Sequence, residues 1–225
     1  MRAPIYFFIL AVALMVAGFL GAIAYFALIP PSRTLKNSPA EAGLPLSKSN
    51  PPARPVITSS DPVNGNPDAP ITIVEFGDFL CPACAEISPT LKQILAEQKN
   101  NVRLVWKDAP NIRRHALAQR AAEAARCARE QDQFWQYHDR LFENQTNLNE
   151  EIFRTIANNL NLNLNSFNEC LSSGRAGALI ERNLNEALLL GVDATPYLFI
   201  DGQRFSGAIS KTALDEALTN ALQNL

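Results

Sequence analysis

The sequence is short of histidine and methionine, and it has no surplus of positive charge. Among its 225 residues are two histidines, two methionines and four cysteines, and its formal net charge is −2. A nucleic-acid-binding domain normally carries a basic patch, so the charge predicts no nucleic-acid partner. The lack of a His-rich or Met-rich stretch argues against a metal-handling module. The composition therefore leaves the cysteines as the residues most informative about function.

Charge is absent from a long stretch near the N-terminus. Residues 5–29 form a run of 25 residues without a charged side chain, framed by Pro4 and Pro30. A membrane-spanning helix needs about 20 apolar residues, so we expect residues 1–29 to form an uncleaved transmembrane signal-anchor. The alternative is a cleavable signal peptide with its cleavage site at residues 22–24. Against it, the apolar run is longer than the roughly 7 to 15 residues of a signal-peptide core.

Proline is concentrated in the segment that follows. Ten of the fifteen prolines lie in residues 30–70, interleaved with Ser, Asn and Lys. Such a composition cannot bury enough apolar surface to fold, and it is typical of an extended linker. We therefore predict a Pro-rich disordered tether at residues 30–67 and one folded domain at residues 68–225.

Two of the cysteines in this domain follow a short apolar run. Residues 71–84 read Ile-Thr-Ile-Val-Glu-Phe-Gly-Asp-Phe-Leu-Cys-Pro-Ala-Cys, and apolar residues then recur at helical spacing. This pattern predicts a buried strand and then a helix that begins near Cys81. Pro82 fits the first helical turn because it has no N–H to satisfy. Free N–H groups and the helix dipole stabilise a thiolate at a helix N-terminus, so Cys81 and Cys84 are the redox candidates.

The remaining elements alternate between sheet and helix. A second strand is predicted at residues 102–106, a helical block at residues 112–190 and a third strand at residues 196–200. Asp201-Gly202 signals a hairpin turn into a fourth strand, and a last amphipathic helix follows. The predicted order is β-α-β, helical block, β-β-α, which is an α/β fold whose first two strands are parallel.

This order resembles the thioredoxin fold, with a C-x-x-C after the first strand and Thr195-Pro196 before the third. The helical domain inserted after the second strand makes the chain similar to the DsbA-type disulfide oxidoreductases over roughly residues 61–223. Other matching segments are the Ala-rich run ending in Cys127, Phe134-Trp135 with His138, and the run from Gly191 to Pro196. The resemblance implies a thioredoxin fold with a helical insertion, preceded here by the N-terminal transmembrane helix.

The resemblance also implies roles for the residues around the cysteine pair. Cys81 would exchange with substrate sulfur, and the more buried Cys84 would resolve the mixed disulfide. Glu75 lies where the family often has a buried acid. Burial would raise its pKa and let it exchange a proton with Cys84. Lys107 is its candidate partner, and a plain ion pair is the alternative role for Glu75.

Substrate binding is implied for Pro82, Ala83, Thr195 and Pro196. The bond between Thr195 and Pro196 is expected to be cis, which would expose the Thr195 backbone to an extended substrate segment. An ordinary trans loop is the alternative. The Pro-Ala dipeptide departs from the Pro-His of strongly oxidising members, so Cys81 is expected to have a less depressed pKa. Thr in place of Val before the cis-proline occurs in some isomerases and reductases, so the direction of electron flow stays open.

The other two cysteines lie in the helical block. Part of the family has a bridge there, which implies a structural disulfide between Cys127 and Cys170; two buried free thiols are the alternative. A disulfide would place the domain outside the cytosol, where thiols are not kept reduced. We therefore expect a single-pass protein of the cytoplasmic (inner) membrane with its domain on the periplasmic or extracytoplasmic side. Signal cleavage would instead release it to the periplasm.

The expected function is disulfide formation in exported proteins through the Cys-Pro-Ala-Cys pair, without a cofactor or a metal. The expected partners are cysteine-containing exported substrates, a membrane redox partner that recycles the pair, and the membrane itself. A reductase or isomerase is the alternative at the same site, although isomerases of this superfamily usually carry a separate dimerisation domain. From a different class, the two thiolates could bind Cu(I) or form half of a zinc site. For zinc, His115 and His138 are the available histidines, and both are interpreted as surface or packing residues.

Overall fold

The computed structural model describes residues 54–223, in which helices cover a mixed sheet. The strands are β1 (Val63–Gly65), β2 (Ile71–Gly77), β3 (Val102–Asp108), β4 (Tyr197–Ile200) and β5 (Gln203–Ser206). The helices are α1 (Pro82–Glu97), α2 (Ala118–Arg129), α3 (Phe134–Glu143), α4 (Glu150–Asn159), α5 (Leu164–Ser173), α6 (Arg175–Leu190) and α7 (Lys211–Gln223), with a 3₁₀ turn at Gln145–Asn147. The predicted order of elements is present, with β1 added in front.

The central strand β2 is covered on both faces. The strand order is β1-β3-β2-β4-β5, in which β2 runs parallel to β3 and antiparallel to β4. Because side chains alternate along a strand, Ile71 and Ile73 cluster with residues of α1 and α7. Val74 and Phe76 cluster with residues of α6 on the other face. Packing from both sides fixes the point at which the chain leaves the sheet toward the cysteine pair.

The helical block follows β3 and has a core of its own. Helices α2 to α6 enclose a cluster of buried aromatic and aliphatic side chains. Cys127 of α2 and Cys170 of α5 form a disulfide within this cluster, with an S–S distance of 1.98 Å, as the resemblance implied. Asn149 caps α4 by accepting hydrogen bonds from the backbone of the first turn. The insertion is therefore a cross-linked subdomain attached to the sheet.

The N-terminal edge of the domain differs from the prediction. Strand β1 lies inside the predicted tether at residues 30–67 and pairs antiparallel with β3. The buried Asp61 forms an ion pair of 2.8 Å with Lys107, so the folded domain begins before residue 68. Strand β1 could not be predicted from the sequence, because a strand of three residues is too short to show a hydrophobic periodicity. In addition, the partner of Asp61 lies 46 residues away.

Within residues 54–223, none of the helices is both long and apolar enough to cross a membrane. The predicted transmembrane segment at residues 1–29 and the predicted tether up to residue 53 lie outside the described residues.

Candidate active site

Two free thiols lie at the N-terminus of α1. Cys81 is the N-cap residue and Pro82 occupies the first helical turn, where its missing N–H is not needed. The backbone N–H of Cys84 donates to the carbonyl oxygen of Cys81 at 3.1 Å. Cys84 is fully buried, whereas Cys81 is partly exposed. Only the outer sulfur of the pair is therefore open to another molecule.

The surroundings of Cys81 favour its thiolate form. A hydrogen bond from the Cys84 thiol is the largest influence and lowers the pKa of Cys81, while burial opposes it. Together with the smaller effects of Thr195 and of the backbone N–H groups of Cys84 and Ala83, it lowers the pKa to about 5. The two backbone donors come from the first turn of α1, whose free N–H groups point toward the N-cap residue, whereas Thr195 lies in the loop before β4. The local helix geometry thus produces a thiolate near neutral pH.

Cys84 has the opposite character. Burial raises the pKa of its thiol far above the usual value, and the hydrogen bond to Cys81 and the charge of Glu75 raise it further. The two sulfurs therefore differ in protonation as well as in exposure. An exposed thiolate beside a buried thiol is an arrangement in which one sulfur attacks and the other resolves.

Glu75 lies on β2 beneath the cysteine pair. It is 1% exposed and occupies the face of the sheet that carries Ile73, opposite to Phe76. Burial raises the pKa of its carboxyl group to about 8, and the charge of Cys81 contributes in the same direction. A carboxyl group with such a pKa can take and return a proton near neutral pH.

The candidate pairing of Lys107 with Glu75 is wrong. In the register of β2 and β3, Glu75 lies beside Trp106, and Lys107 lies beside Phe76 on the other face. The Lys107 ammonium group instead contacts Asp61 and Glu186 at 2.8 and 2.9 Å. Strand alternation alone could have excluded the pairing once the register was known, but a single sequence does not supply the register.

The loop before β4 faces the cysteine pair. The peptide bond between Thr195 and Pro196 is cis, as the resemblance implied. The sulfur of Cys81 lies 3.1 Å from the carbonyl oxygen of Thr195, to which it donates a hydrogen bond only when it is protonated. Residues 114 positions apart therefore meet at the site, although the roles of Pro82, Ala83, Thr195 and Pro196 in substrate binding stay a prediction.

Two polar residues that sequence reasoning missed hold the loop of the cysteine pair. Asp78 accepts hydrogen bonds from the backbone N–H of Leu80 at 2.8 Å and of Asn111 at 2.9 Å. Gln145, in the 3₁₀ turn, donates to the carbonyl oxygens of Phe79 and Cys81 at 2.8 and 3.0 Å. An Asp just after a strand is a recognisable turn signal. Gln145 gave no signal, because it lies 64 residues from Cys81.

The structure combines a thioredoxin-like fold and a helical insertion with a C-x-x-C pair at a helix N-terminus that faces a cis-proline. This combination defines the class of thioredoxin-like thiol–disulfide oxidoreductases. Comparison with known sequences gives the family. The family described as Thioredoxin matches residues 58–220. The chain therefore belongs to the thioredoxin family.

Curated relatives share part of their length with this chain. The Na(+)/H(+) antiporter NhaA 1 of Salinispora arenicola is 38% identical over 167 residues, which are 74% of this chain and 26% of that protein. The Na(+)/H(+) antiporter NhaA 3 of Salinispora tropica is 37% identical over the same shares of the two chains. This chain thus spans about a quarter of the length of these relatives.

Solved structures share the fold. A thioredoxin-like oxidoreductase from Silicibacter pomeroyi DSS-3 has a TM-score of 0.66 and 26% identity, covering 74% of this chain and 94% of that chain. Oxidised BdbD from Bacillus subtilis has a TM-score of 0.66 and 23% identity, with coverages of 73% and 94%. The catalytic domain of Proteus mirabilis ScsC has a TM-score of 0.65 and 24% identity, with coverages of 74% and 91%. At 23% and 24% identity, the structures of BdbD and ScsC show a similarity of fold alone.

Proposed function

We propose that this chain is a thiol–disulfide oxidoreductase that forms disulfides in exported proteins through Cys81 and Cys84. The observation that carries the proposal is the asymmetry of the pair. The outer sulfur is accessible and has a pKa of about 5, and the inner one is buried with a raised pKa. Two thiols with a purely structural role would not require such a difference in exposure and pKa.

The proposed reaction begins with the pair joined as a disulfide. A substrate thiolate attacks the sulfur of Cys81, and the bond between Cys81 and Cys84 breaks. The electron pair leaves on the Cys84 sulfur, which takes a proton from the carboxyl group of Glu75 because the buried thiolate is unfavourable. A second substrate thiolate then attacks the substrate sulfur of the mixed disulfide. Cys81 departs as a thiolate, and the substrate is left with a disulfide.

The acidity of Cys81 supports the oxidising direction. A thiolate that is stable in the reduced protein makes the disulfide easier to reduce, so a low pKa favours oxidation of the substrate. The value of about 5 lies between those of DsbA, about 3.5, and thioredoxin, about 7. We therefore assign an oxidant that is weaker than DsbA, in keeping with the lack of a histidine beside the pair.

A groove beside the site supports a polypeptide as substrate. It has a volume of about 440 Å³ and runs past Thr195 between the loop after β3 and the end of α6. Its rim includes Ile112 and Leu188, which are 56% and 78% exposed. Exposed apolar side chains next to a reactive thiol suit an extended, unfolded segment, because such a segment offers apolar side chains that a folded surface hides.

We assign the domain to an oxidising compartment. The disulfide between Cys127 and Cys170 supports this location, since structural disulfides rarely persist in the cytosol. The uncharged residues 5–29 support an N-terminal membrane anchor with the domain on the extracytoplasmic side. A membrane-bound oxidant would then return the pair to its disulfide form.

The reduction potential of the cysteine pair tests the proposal directly. We expect a value on the oxidising side, toward about −120 mV, whereas a value near −270 mV would identify a reductase. Cys81→Ser should abolish disulfide exchange with a reduced, unfolded substrate, and Cys84→Ser should accumulate mixed disulfides with it. Tight binding of Cu(I) by the reduced protein, together with no exchange activity, would replace the redox function with metal handling.

A further inference from the structure

A small cavity lies beneath the active site, between β2, α1 and α3. Its volume is about 30 Å³, and its lining includes Glu75, Trp135 and His138. Each of these residues has a buried polar atom without a hydrogen-bond partner among residues 54–223. The atoms are Glu75 Oε1, Trp135 Nε1 and His138 Nε2. Three residues that line one cavity and each carry such an atom point to a ligand, because leaving a buried polar group without a partner destabilises the fold.

The three groups are complementary to one water molecule. Trp135 Nε1–H can only donate. His138 Nδ1 lies 3.1 Å from Asp139 Oδ1, so the ring donates its Nδ1–H to that carboxylate and presents Nε2 as an acceptor. A protonated Glu75 donates its O–H. One water can accept from Trp135 and Glu75 and donate to His138, and the cavity has room for it because a water needs about 10–15 Å³.

We propose that this cavity binds water and that His138 and Trp135 position it to carry protons between Glu75 and the protein surface. The inference rests on the proposed thiol–disulfide exchange at Cys81 and Cys84. It adds two positioning residues of the helical insertion to a reaction otherwise confined to the thioredoxin-like part.

The outer end of the path lies at α1 and α3. Ser88, Lys92 and Asp139 line both the cavity and an open surface groove of about 330 Å³. Lys92 pairs with Asp139 at 2.5 Å, beside His138. The charged and titratable groups around the cavity are thus Glu75 from β2, Lys92 from α1, and His138 with Asp139 from α3. They range from the buried Glu75 to Lys92, whose side chain is 70% exposed.

The proton steps belong to reoxidation of the pair by a disulfide. The Cys81 thiolate attacks one sulfur of the oxidant, whose other half leaves as a thiolate. Cys84 then gives its proton to the Glu75 carboxylate and attacks Cys81, which releases the second thiolate of the oxidant. Glu75 passes the proton to the water, the water passes one to His138 Nε2, and Nδ1–H passes to Asp139 and solvent. Two electrons move from the cysteine pair to the oxidant, and one proton leaves along the path.

The test follows reoxidation of the reduced protein by oxidised glutathione. Samples are quenched in acid, and mass spectrometry counts the mixed disulfide at Cys81. We expect His138→Gln to leave formation of the mixed disulfide unchanged and to slow its resolution about tenfold, a modest share of what a general base contributes. Trp135→Phe should slow the same step. Tyr137→Phe is the matched control on α3, because its hydroxyl group binds the carbonyl oxygen of Phe153 away from the cavity.

A relay and a purely structural role for His138 predict different results in a double variant. If His138 acts only through Glu75, adding His138→Gln to Glu75→Gln should cause no further loss of rate. If its effect is structural and independent of Glu75, the two losses should add. Additive losses, or normal resolution in both cavity variants, would overturn the relay. In the wild type, an NMR cross-relaxation peak between the Trp135 indole N–H and a long-lived water is expected, and its absence would also overturn the proposal. A wild-type protein that never forms the Cys81–Cys84 disulfide would instead refute the proposed function.

Discussion

At the level of single residues, the acidity of Cys81 depends on a donor that can be exchanged. The pKa of Cys81 is lowered to about 5, and the hydrogen bond from the Cys84 thiol is the largest of the influences that lower it. Replacing Cys84 by alanine removes the donor, whereas serine keeps an O–H group in the same place.

We therefore expect Cys84→Ala to raise the pKa of Cys81 by at least one unit, and Cys84→Ser to keep it closer to the wild-type value. The thiolate absorbance of the reduced protein, followed against pH, measures the midpoint, and Cys81→Ser supplies the blank. A wild-type midpoint in the alanine variant would show that the N–H groups of the helix, not the thiol, set the acidity.

The raised pKa of Glu75 makes the stability of the folded protein depend on pH. Its pKa is raised from 4.5 to about 8 in the folded protein. Its contribution is therefore fully present below pH 4.5 and is lost as the pH rises through 8. The slope is at most about 1.4 kcal/mol per pH unit.

Relative to Glu75→Gln, the reduced wild-type protein should lose a few kcal/mol of unfolding free energy between pH 5 and pH 8. Urea denaturation at the two pH values measures the difference. The exposed Glu86 of α1 offers a control, because Glu86→Gln should follow the wild type. Parallel curves for wild type and Glu75→Gln would mean that the carboxyl group is already ionised at pH 5.

At the level of elements, local pattern was enough for the unit formed by β2 and α1. The apolar run ended by Gly77 and the proline after Cys81 predicted a buried strand and a helix start, and the structure has them at Ile71–Gly77 and Pro82–Glu97. Long-range geometry was not predictable in the same way. The register that turns Lys107 away from Glu75 and the reach of Gln145 to the carbonyl of Cys81 follow from tertiary packing, which a single sequence does not encode in any local signal.

The disulfide of the helical insertion predicts an effect on stability that is separate from catalysis. It joins α2 to α5 across 43 residues. Cross-linking a loop of that length reduces the entropy of the unfolded chain by an amount worth about 4 kcal/mol. Both cysteines are buried in the insertion core, and the redox pair lies at α1.

The double variant Cys127→Ala/Cys170→Ala should therefore unfold at lower denaturant concentration, with a loss of about 3–4 kcal/mol. The reduction potential of Cys81 and Cys84 should stay within a few millivolts of the wild type, on the scale where about 30 mV corresponds to a tenfold change. A changed potential would show that the insertion disulfide also shapes the active site. A loss below about 1 kcal/mol would contradict the entropic account.

At the level of the whole molecule, a buried ion network attaches the N-terminal edge to the rest of the domain. Lys107 has a 2% exposed side chain and contacts Asp61 at 2.8 Å and Glu186 at 2.9 Å. It also donates to the carbonyl oxygen of Val56 at 2.7 Å. The network links the segment before β1 to β3 and α6. Removing one partner of a buried ion pair commonly destabilises a protein by about 3–5 kcal/mol.

A chain that begins at residue 68 should therefore be less stable than one that begins at residue 54, by about 3–5 kcal/mol, because it lacks Asp61, Val56 and β1. Lys107→Met separates the two causes. In the shorter chain Lys107 keeps only Glu186 as a partner, so Lys107→Met should destabilise that chain less than the longer one, in which it leaves both Asp61 and Glu186 without their cation. Urea denaturation of the four proteins measures the double difference. Equal stability of the two unsubstituted chains would show that the segment from residue 54 to residue 67 only rests on the domain.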